Sequence, residues 1–460
     1  MARPDEPHKG RPGTKSPRSA VGFGEKPHKP APDGASVPAQ AGVVVSRRAA
    51  DRLRSGHVWV YASEIERVEL AEGQEPALVP VADYRGLLLG TALYSPASQI
   101  ALRMVSHGSI GEADWLELLA TRLRAAIARR APLLDQENNA CRLCFSEADE
   151  LPGLVIDKYA GLIVLQLLTK ALNCGAVRET CVRVLREELS AKRGIQKEAC
   201  GPEAIWERPD PRIRELEGLP APAAGPLWAV DAESPKSETQ FLINGLRFFY
   251  DANAGQKTGA FLDQHANYAA AEKWAGLKAP GGRALDVCTY QGGFALHLAR
   301  VSKSVTGIDA SHASLEVAER NLEANRNVIG NAKDVDWVEG DAFEILRDWS
   351  AAGQQFDTIV LDPPAFAKSK RAVEGALRGY KELNLRALKM LRPGGLLVTC
   401  SCSHHVSWAD LEGAIAAAAA DAGARVRLLE RRGAAPDHPV VLNLPETEYL
   451  KCLVVEKDRD

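Results

Sequence analysis

The chain lacks any run of about 20 apolar residues, the length that a helix needs to cross a bilayer. Its most alanine-rich stretch, residues 414–420, is far shorter than that. The amino terminus carries charges and prolines but no apolar segment of the kind that a secretory signal contains. The nine cysteines are odd in number and scattered, unlike the dense spacing of a secreted disulfide framework. These absences argue against a membrane-spanning or disulfide-stabilised secreted protein and predict a cytoplasmic location.

A large excess of charge of one sign is also missing. The chain has 57 Lys and Arg residues against 60 Asp and Glu residues, and its formal net charge is −3. This balance argues against wrapping nucleic acid over the whole surface, but it is compatible with a local basic groove. A length of 460 residues with 45% hydrophobic and 25% charged residues is typical of a globular protein with two or three domains.

The sequence pattern changes three times along the chain. Residues 1–40 are rich in Pro, Gly, Lys and Arg and predict a disordered basic tail, which is either simply solvated or contacts RNA phosphates. Residues 41–108 contain short β-like runs separated by turns and one basic helix, and they predict a small β-rich domain. Residues 109–238 mix amphipathic helices with strand-like runs and predict a central α+β domain.

The last segment, residues 239–460, alternates strands with helices. Apolar strand-like runs lie at 283–287, 304–308, 334–338, 358–361 and 396–400. This order is typical of a doubly wound α/β domain, in which a parallel sheet is covered by helices on both faces. Ligands of such sheets bind beyond the carboxyl ends of the strands. The residues that end or follow each strand are therefore the candidate site.

Four of these strands have an acid at or just beyond their end. Asp286 lies in the first strand, and Gly292 and Gly293 in the next loop let the backbone approach a ligand closely. Asp309 ends the second strand, where an acid accepts hydrogen bonds from the ribose hydroxyls of an adenosine. Asp341, after the third strand, is placed to accept the adenine amino group, and Asp362 follows the fourth. One such acid is typical of any solvated loop, but four in this order predict a site for a nucleoside methyl donor.

The fourth strand leads into the string Asp362-Pro-Pro-Ala-Phe366. With the strand-end acids, this string resembles the class I S-adenosylmethionine-dependent methyltransferases, which have a Rossmann-like fold and present a planar amine or base on such a loop. The resemblance implies S-adenosylmethionine as the cofactor. Pro363 and Pro364 would stiffen the backbone so that its carbonyls and Asp362 hold the edge of the base. Phe366 is placed to stack on the base.

The fifth strand ends in Cys400-Ser-Cys402-Ser-His-His405. Carbon 5 of a pyrimidine becomes nucleophilic only after a thiolate adds to carbon 6, so methylation there requires a cysteine beside the base. Cys402 is the predicted nucleophile, and Cys400 lies on the same side of the strand by alternation. The alternative is a small buried core thiol. The two histidines that follow either tune the thiolate, contact phosphates or have no role.

Cys141 and Cys144 have the CxxC spacing of some metal and redox sites. No second pair follows at zinc-finger distance, and the segment has the pattern of a strand. We therefore interpret the spacing as coincidental and predict no metal site.

Longer strings extend the resemblance to nearly all of the chain after the tail. They are His57-Val-Trp-Val-Tyr61, Tyr94-Ser-Pro-Ala-Ser-Gln-Ile100, Phe145-Ser-Glu-Ala-Asp-Glu-Leu-Pro-Gly-Leu154, Gly255-Gln-Lys-Thr-Gly-Ala-Phe-Leu-Asp-Gln264, Arg378-Gly-Tyr-Lys381 and Asp437-His-Pro439. On these strings the chain resembles the bacterial 23S ribosomal RNA cytosine-C5 methyltransferases of the large-subunit methyltransferase I type. That family joins a PUA-like RNA-binding domain, a central α+β domain and the methyltransferase domain. The chain departs from it at residues 404–406 and in its tail.

The resemblance also implies further site residues and partners. Residues 256–264 would close over the cofactor or substrate, so Lys257 and Gln264 join Tyr290 and Ala342 as implied cofactor contacts. Cys402 is implied as the nucleophile, since no cysteine lies in the Asp-Pro-Pro loop, where a related RNA cytosine family keeps its thiol. The implied partner is 23S ribosomal RNA, free or in a large-subunit assembly intermediate. No membrane is implied, and a homodimer is left open.

Two other functions fit the sequence pattern less fully. The first is methylation of a base amine or of guanine N7, for which the Asp-Pro-Pro loop suffices without a covalent step. The second is a non-catalytic RNA-binding protein of ribosome assembly that retains a relic cofactor pocket.

Overall fold

The computed structural model describes residues 42–70, 76–190, 201–220, 224–253, 260–330 and 334–458. All of them belong to one unit, Gln40–Asp460. The predicted tail at 1–40 lies outside the described residues, and the predicted domain boundaries at 40, 108 and 238 stay predictions. Among the described residues, no helix combines the length and the apolar character that crossing a membrane requires.

The first part of the described chain is a sheet of six strands with one helix. Its elements are β1 (Val43–Val45), α1 (Arg47–Arg54), β2 (Trp59–Tyr61), β3 (Ile65–Val68), β4 (Leu78–Asp83), β5 (Leu88–Tyr94) and β6 (Ile100–Ser106). The strand order is β2-β6-β5-β4-β1-β3. Ser46 caps α1 by accepting a hydrogen bond from the amide of Ala49, and the apolar face of α1 packs on the sheet through Ala49, Ala50 and Leu53. A small β-rich domain was expected here, and β3 is a strand that the sequence pattern did not predict.

The central part packs two helices against a second sheet. Its elements are α2 (Glu112–Arg130), β7 (Ala140–Phe145), β8 (Leu154–Tyr159), β9 (Leu162–Leu167), α3 (Gly175–Ser190), β10 (Ala204–Glu207), α4 (Pro211–Leu216) and β11 (Trp228–Ala229). The strand order is β11-β10-β9-β8-β7. Every side chain of β9 is buried, because helices and neighbouring structure cover both of its faces.

A hairpin and a helix lead into the last part. Strands β12 (Glu238–Ile243) and β13 (Leu246–Asp251) pair antiparallel over six residues each. They are joined by Asn244 and Gly245, whose φ angles of 51° and 78° suit a two-residue hairpin turn. Helix α5 (His265–Lys278) follows.

The last part is a doubly wound α/β sheet. Its elements are β14 (Arg283–Val287), α6 (Gly293–Ala299), β15 (Ser304–Asp309), α7 (His312–Ile329), β16 (Asp334–Glu339), α8 (Ala342–Ala351), β17 (Phe356–Leu361), α9 (Val373–Met390), β18 (Leu391–Ser401), α10 (Trp408–Asp421), β19 (Val426–Arg432) and β20 (Lys451–Lys457). The strand order is β16-β15-β14-β17-β18-β20-β19. The first five are parallel, and β20 is antiparallel to both neighbours.

Apolar clusters cover both faces of this sheet. Strand order reverses between β14 and β17, because β15 and β16 lie on one side of β14 and the later strands on the other. Such a switch point creates a crevice at the carboxyl ends of the strands. The predicted fold class, a Rossmann-like α/β domain preceded by β-rich and α+β parts, is confirmed.

Candidate active site

The loop after β14 has a backbone shape that is held by the end of β15. Cys288 and Tyr290 have φ angles of 63° and 52°, which cost free energy for residues with side chains. The carboxylate of Asp309 accepts a hydrogen bond from the Tyr290 amide at 2.8 Å, and its other oxygen accepts one from the Ser311 amide at 2.9 Å. Asp309 therefore fixes the loop, and its oxygens keep lone pairs for further donors.

Two glycines follow in the same loop, where side chains would not fit. Gly292 has φ of 84°, and a Cβ built on it would lie 3.0 Å from the ring of Trp337. A Cβ on Gly293 would lie 2.4 Å from the ring of Tyr268. Glycine is thus needed at the start of α6 because any side chain there would overlap Trp337 or Tyr268, whether or not a ligand is bound.

Asp286 is a buried carboxyl group beneath this loop. One of its oxygens accepts hydrogen bonds from the Thr289 hydroxyl at 2.5 Å and the Ala295 amide at 2.9 Å. The other oxygen has no hydrogen-bond partner within the described ranges. Burial raises the pKa of Asp286 to about 7, against the lowering effect of the two donors.

Asp341 is the N-cap of α8. Its side chain accepts hydrogen bonds from the amides of Phe343 and Glu344, at 2.8 and 3.1 Å. Ala342 is the first residue of the helix. Because β15 and β16 are paired in register up to Asp309 and Glu339, these residues lie at the same sheet edge as Asp309.

A cleft opens at this edge. The predicted site residues that line it are Tyr290, Gly293 and Asp362. Its remaining walls are Phe241, Ile243, Phe248, Ala260, Phe261, Tyr268, Cys288, Thr289, Gln291 and Phe294. The three residues from the β12–β13 hairpin were not predicted from the sequence. The Asn244-Gly245 pair between two alternating apolar runs is a strong hairpin signal and could have identified this wall.

Asp362 is oriented by a chain of amide side chains. The Gln264 amide donates to one Asp362 oxygen at 2.9 Å, and Asn267 donates to the Gln264 oxygen at 2.6 Å. The Arg432 guanidinium in turn donates to the Asn267 oxygen at 2.9 Å. Gln264 therefore contacts the Asp-Pro-Pro loop. Lys257, the other residue predicted in the preceding segment, lies outside the described residues.

The two cysteines at the end of β18 have different surroundings. Cys400 is buried in the core beside Cys452, and burial raises its pKa well above the ordinary value for a thiol. Cys402 is half-buried, and its Sγ lies 3.9 Å from the carbonyl oxygen of Pro363. The structure therefore brings Cys402 and the Asp-Pro-Pro loop together, as the sequence predicted.

The turn that carries Cys402 is held on both sides. Ser401 and Ser403 bond to the buried hydroxyl of Tyr380 at 2.8 and 3.1 Å. The ammonium of Lys451 donates to the Ser403 carbonyl at 3.0 Å. These contacts fix the backbone on each side of the thiol.

Phe366 is not among the residues that line the cleft. Its ring packs between Phe343 and Tyr380, with centroid distances of 5.9 and 4.9 Å. Pro363 is buried and Pro364 is exposed. The predicted stacking of Phe366 on a substrate base stays a prediction, while its observed contacts hold the loop against α9.

These residues fit S-adenosylmethionine. The unpartnered buried oxygen of Asp286 and the spare lone pairs of Asp309 and Asp341 supply acceptors for its amino and hydroxyl groups. The backbone at Gly293 and the aromatic walls supply close approach and apolar contact.

Comparisons with known proteins agree with this site. Residues 187–453 match a family model described as S-adenosylmethionine-dependent methyltransferase, and residues 43–107 match one described as a PUA-like domain. A solved structure described as a SAM-dependent methyltransferase from Streptococcus mutans superimposes with a TM-score of 0.72 at 17% identity. It covers 91% of this chain and 100% of that one, and at this identity it shows the fold alone.

Closer relatives have a more specific name. The ribosomal RNA large subunit methyltransferase I of Pseudoalteromonas translucida is 36% identical over 404 residues, which are 87% of this chain and 96% of that protein. That of Klebsiella pneumoniae is 33% identical over 411 residues, 89% and 96% of the two chains. The chain is thus an S-adenosylmethionine-dependent methyltransferase enzyme, and it belongs to the ribosomal RNA large subunit methyltransferase I family.

Proposed function

We propose that this enzyme methylates carbon 5 of a cytosine in 23S ribosomal RNA through a covalent bond from Cys402 to carbon 6. The relatives named above are ribosomal RNA methyltransferases, which supports the substrate class. The observation that carries the chemistry is the 3.9 Å distance between the Cys402 thiol and the Pro363 carbonyl. It puts a half-buried thiol against the loop that would hold the base.

The proposed roles follow from the contacts around the base. Asp362, oriented by Gln264, accepts a hydrogen bond from the cytosine amino group, and the carbonyls of the Asp-Pro-Pro loop hold the same edge. The Cys402 thiolate adds to carbon 6, and the electron pair of the 5,6 double bond makes carbon 5 nucleophilic. Bound S-adenosylmethionine supplies the methyl group that carbon 5 accepts. Loss of the carbon 5 proton then restores the double bond as the carbon–sulfur bond breaks and the thiolate leaves.

The proposed cofactor contacts divide between the ends of three strands. Asp309 accepts from the ribose hydroxyls, and Asp341 accepts from the adenine amino group beside the Ala342 backbone. Asp286, Tyr290 and the glycines of the loop face the amino acid portion. Lys257 completes the set as an expectation from the family.

Replacing the thiol tests the covalent step. We expect Cys402→Ala to lower methyl transfer at least about 1000-fold, because carbon 5 is not nucleophilic without the adduct. The measurement is radiolabelled methyl transfer to ribosomal RNA from cells that lack the enzyme. Methylated positions are then mapped by mass spectrometry.

The control is Cys174→Ala, a partly exposed thiol of the central part. It should retain full activity, and both variants should bind S-adenosylmethionine equally in calorimetry. A Cys402→Ala enzyme that keeps most of its activity would instead indicate direct transfer to a base amine or to guanine N7.

The PUA-like part is proposed to bind RNA next to the target. Two forms of the substrate fit the proposal, free 23S ribosomal RNA and an assembling large subunit in the cytoplasm. Methylation of each form in parallel separates them. Sedimentation of the purified protein tests the homodimer that the sequence left open.

A further inference from the structure

Three exposed cations follow the Asp-Pro-Pro loop directly. Lys368, Lys370 and Arg371 lie between Ala367 and the first turn of α9. Within the described parts of the chain, none of the three has a carboxylate within the 4.0 Å of an ion pair. Three cations of α9 itself are paired with carboxylates, as in Arg378 with Glu374 at 2.6 Å. Among the residues that the structure describes, no carboxylate therefore pairs with these three charges.

The base of this segment is attached to the turn that carries Cys402. The Ala367 amide donates to the Ser403 hydroxyl at 3.1 Å, and the Phe366 ring is held between Phe343 and Tyr380. Lys368 is the next residue, so its Cα lies about 3.8 Å from that of Ala367. The first cation, Lys368, is thus one residue from Ala367, which bonds to Ser403, the residue that follows the predicted nucleophile Cys402.

The placement is unfavourable for the protein alone. The three cations precede α9, and positive charge near the start of a helix is disfavoured by the exposed amide groups there. A solvated run of like charge tolerates this at small cost, which is the ordinary explanation for exposed lysines. Here, however, the run adjoins the site at which a nucleic acid must present its base. A polyanion bound at that position would offset both the repulsion among the three cations and their unfavourable interaction with the amide groups at the start of α9.

We propose that Lys368, Lys370 and Arg371, the cationic segment, bind the RNA phosphates that flank the target nucleotide. This rests on the proposed function, because the partner is RNA. A base extruded from its stack brings its own backbone phosphates to the rim of the pocket. Contacts from this segment would hold the nucleotide in register with Asp362 and Cys402 without reading sequence.

The test uses the full-length enzyme with single charge removals, Lys370→Gln and Arg371→Gln. Binding of a fluorescent single-stranded RNA fragment is measured over a range of salt concentrations. Each variant should weaken RNA binding by about threefold to tenfold and reduce the slope of log affinity against log salt by about 0.7 for each lost phosphate contact. In turnover assays, KM for RNA should rise while kcat changes little. Lys370→Arg should restore binding, because it keeps the charge.

Lys389→Gln is the matched control. Lys389 is an exposed lysine in the last turn of α9, and the 16 positions from Val373 put it roughly 24 Å from the start of that helix, where the cationic segment ends. All variants should bind S-adenosylmethionine like the unaltered enzyme. If Lys370→Gln and Arg371→Gln show the salt slope and affinity of Lys389→Gln, the inference is wrong even when methylation is normal. If the unaltered enzyme methylates no ribosomal RNA, the proposed function is wrong. The binding data still decide separately whether the cationic segment binds RNA.

Discussion

At the scale of single residues, Asp286 makes stability depend on pH. Burial raises the pKa of this carboxyl to about 7, whereas in the unfolded chain it lies near 4. Between these values the folded protein holds a proton that the unfolded protein has released. Stability contributed by this group is therefore present below about pH 4 and is lost as the pH rises to about 7.

We predict that Asp286→Asn removes this dependence, because asparagine resembles the protonated carboxyl. The gain over the unaltered protein at pH 8 should be a few kcal/mol, up to about 4 for the full shift. At pH 4 the two proteins should have similar free energies of unfolding. Urea unfolding at both pH values measures the difference. Parallel loss of stability in both proteins from pH 4 to 8 would contradict the prediction.

The sequence predicted the positions of some residues of the candidate site and not others, for physical reasons. Asp309, Asp341 and Asp362 could be predicted because strand ends of a parallel sheet meet at one edge. The orientation of Asp362 by Gln264 could not, since their hydrogen bond joins positions 98 residues apart. The three cleft residues of the β12–β13 hairpin, Phe241, Ile243 and Phe248, were not predicted. That hairpin belongs neither to the predicted central α+β domain nor to the parallel sheet.

At the scale of elements, α7 covers the free edge of β13. The backbone amides of Arg247 and Phe249 donate to the side-chain oxygens of Asn325 and Asn321, both at 2.8 Å. Asn325 also donates to the Arg247 carbonyl at 2.7 Å. Two buried asparagines four residues apart lie on one face of the helix and replace the next strand of the sheet.

We predict that Asn325→Ala costs about 2–4 kcal/mol of unfolding free energy, because it leaves a backbone donor and acceptor of Arg247 unpaired. Asn327→Ala is the control, since Asn327 is exposed on the same helix, and it should change stability by less than about 0.5 kcal/mol. Urea midpoints followed by circular dichroism report both. Equal midpoints would mean that water satisfies the edge of β13.

Strands were predicted correctly where the apolar pattern of their own sequence shows them. Strand β14 was predicted with its observed bounds, Arg283–Val287, and the predicted run at 396–400 lies within the longer observed β18. Strand β19, by contrast, has no buried side chain and carries charges along its length. Its strand conformation depends on pairing with β20 at the sheet edge, which is a tertiary effect that its own sequence does not display.

At the scale of the whole molecule, the segment from Asp437 to Tyr449 contacts the first, the central and the last part of the described chain. Asn443 donates to the Gly56 carbonyl of the first part at 3.1 Å. The Asp437 carboxylate accepts from the Arg142 amide of the central part at 2.8 Å. Tyr449 packs beside His404, two residues from Cys402, with ring centroids 5.5 Å apart. The first part, the central part and the turn that carries Cys402 are thus connected through one segment.

The negative charge of Asp437 stabilises the junction that the Asp437–Tyr449 segment forms between the central and last parts. Burial alone would raise the pKa of Asp437, but His438 and His265 beside it lower the pKa well below its ordinary value. The folded protein therefore favours the carboxylate, and this contribution is lost as the pH falls below the ordinary range of an aspartate. Arg130 of α2 reaches the same point, because its guanidinium donates to the Asp437 carbonyl at 2.9 Å.

Arg130 and its neighbour allow a matched experiment on this junction. Both Arg130 and Arg129 bond to one oxygen of the buried Asp149, at 2.6 and 2.5 Å. The Arg130 side chain is 2% exposed and the Arg129 side chain 53%. We predict that Arg130→Met costs about 3–5 kcal/mol, because it removes the buried partner of a buried carboxylate. Arg129→Met should cost at most about 1 kcal/mol, because solvent already screens that pair.

Of these two arginines, only Arg130 donates a hydrogen bond to Asp437. The two variants should therefore differ in which segments lose protection from hydrogen exchange. Hydrogen exchange in Arg130→Met should accelerate in the 437–449 segment as well as in α2, whereas Arg129→Met should leave that segment protected. Thermal unfolding gives the overall loss, and exchange followed by mass spectrometry gives its location. Equal losses in the two variants, or an unchanged segment in Arg130→Met, would show that the catalytic part is held to the central part by other contacts.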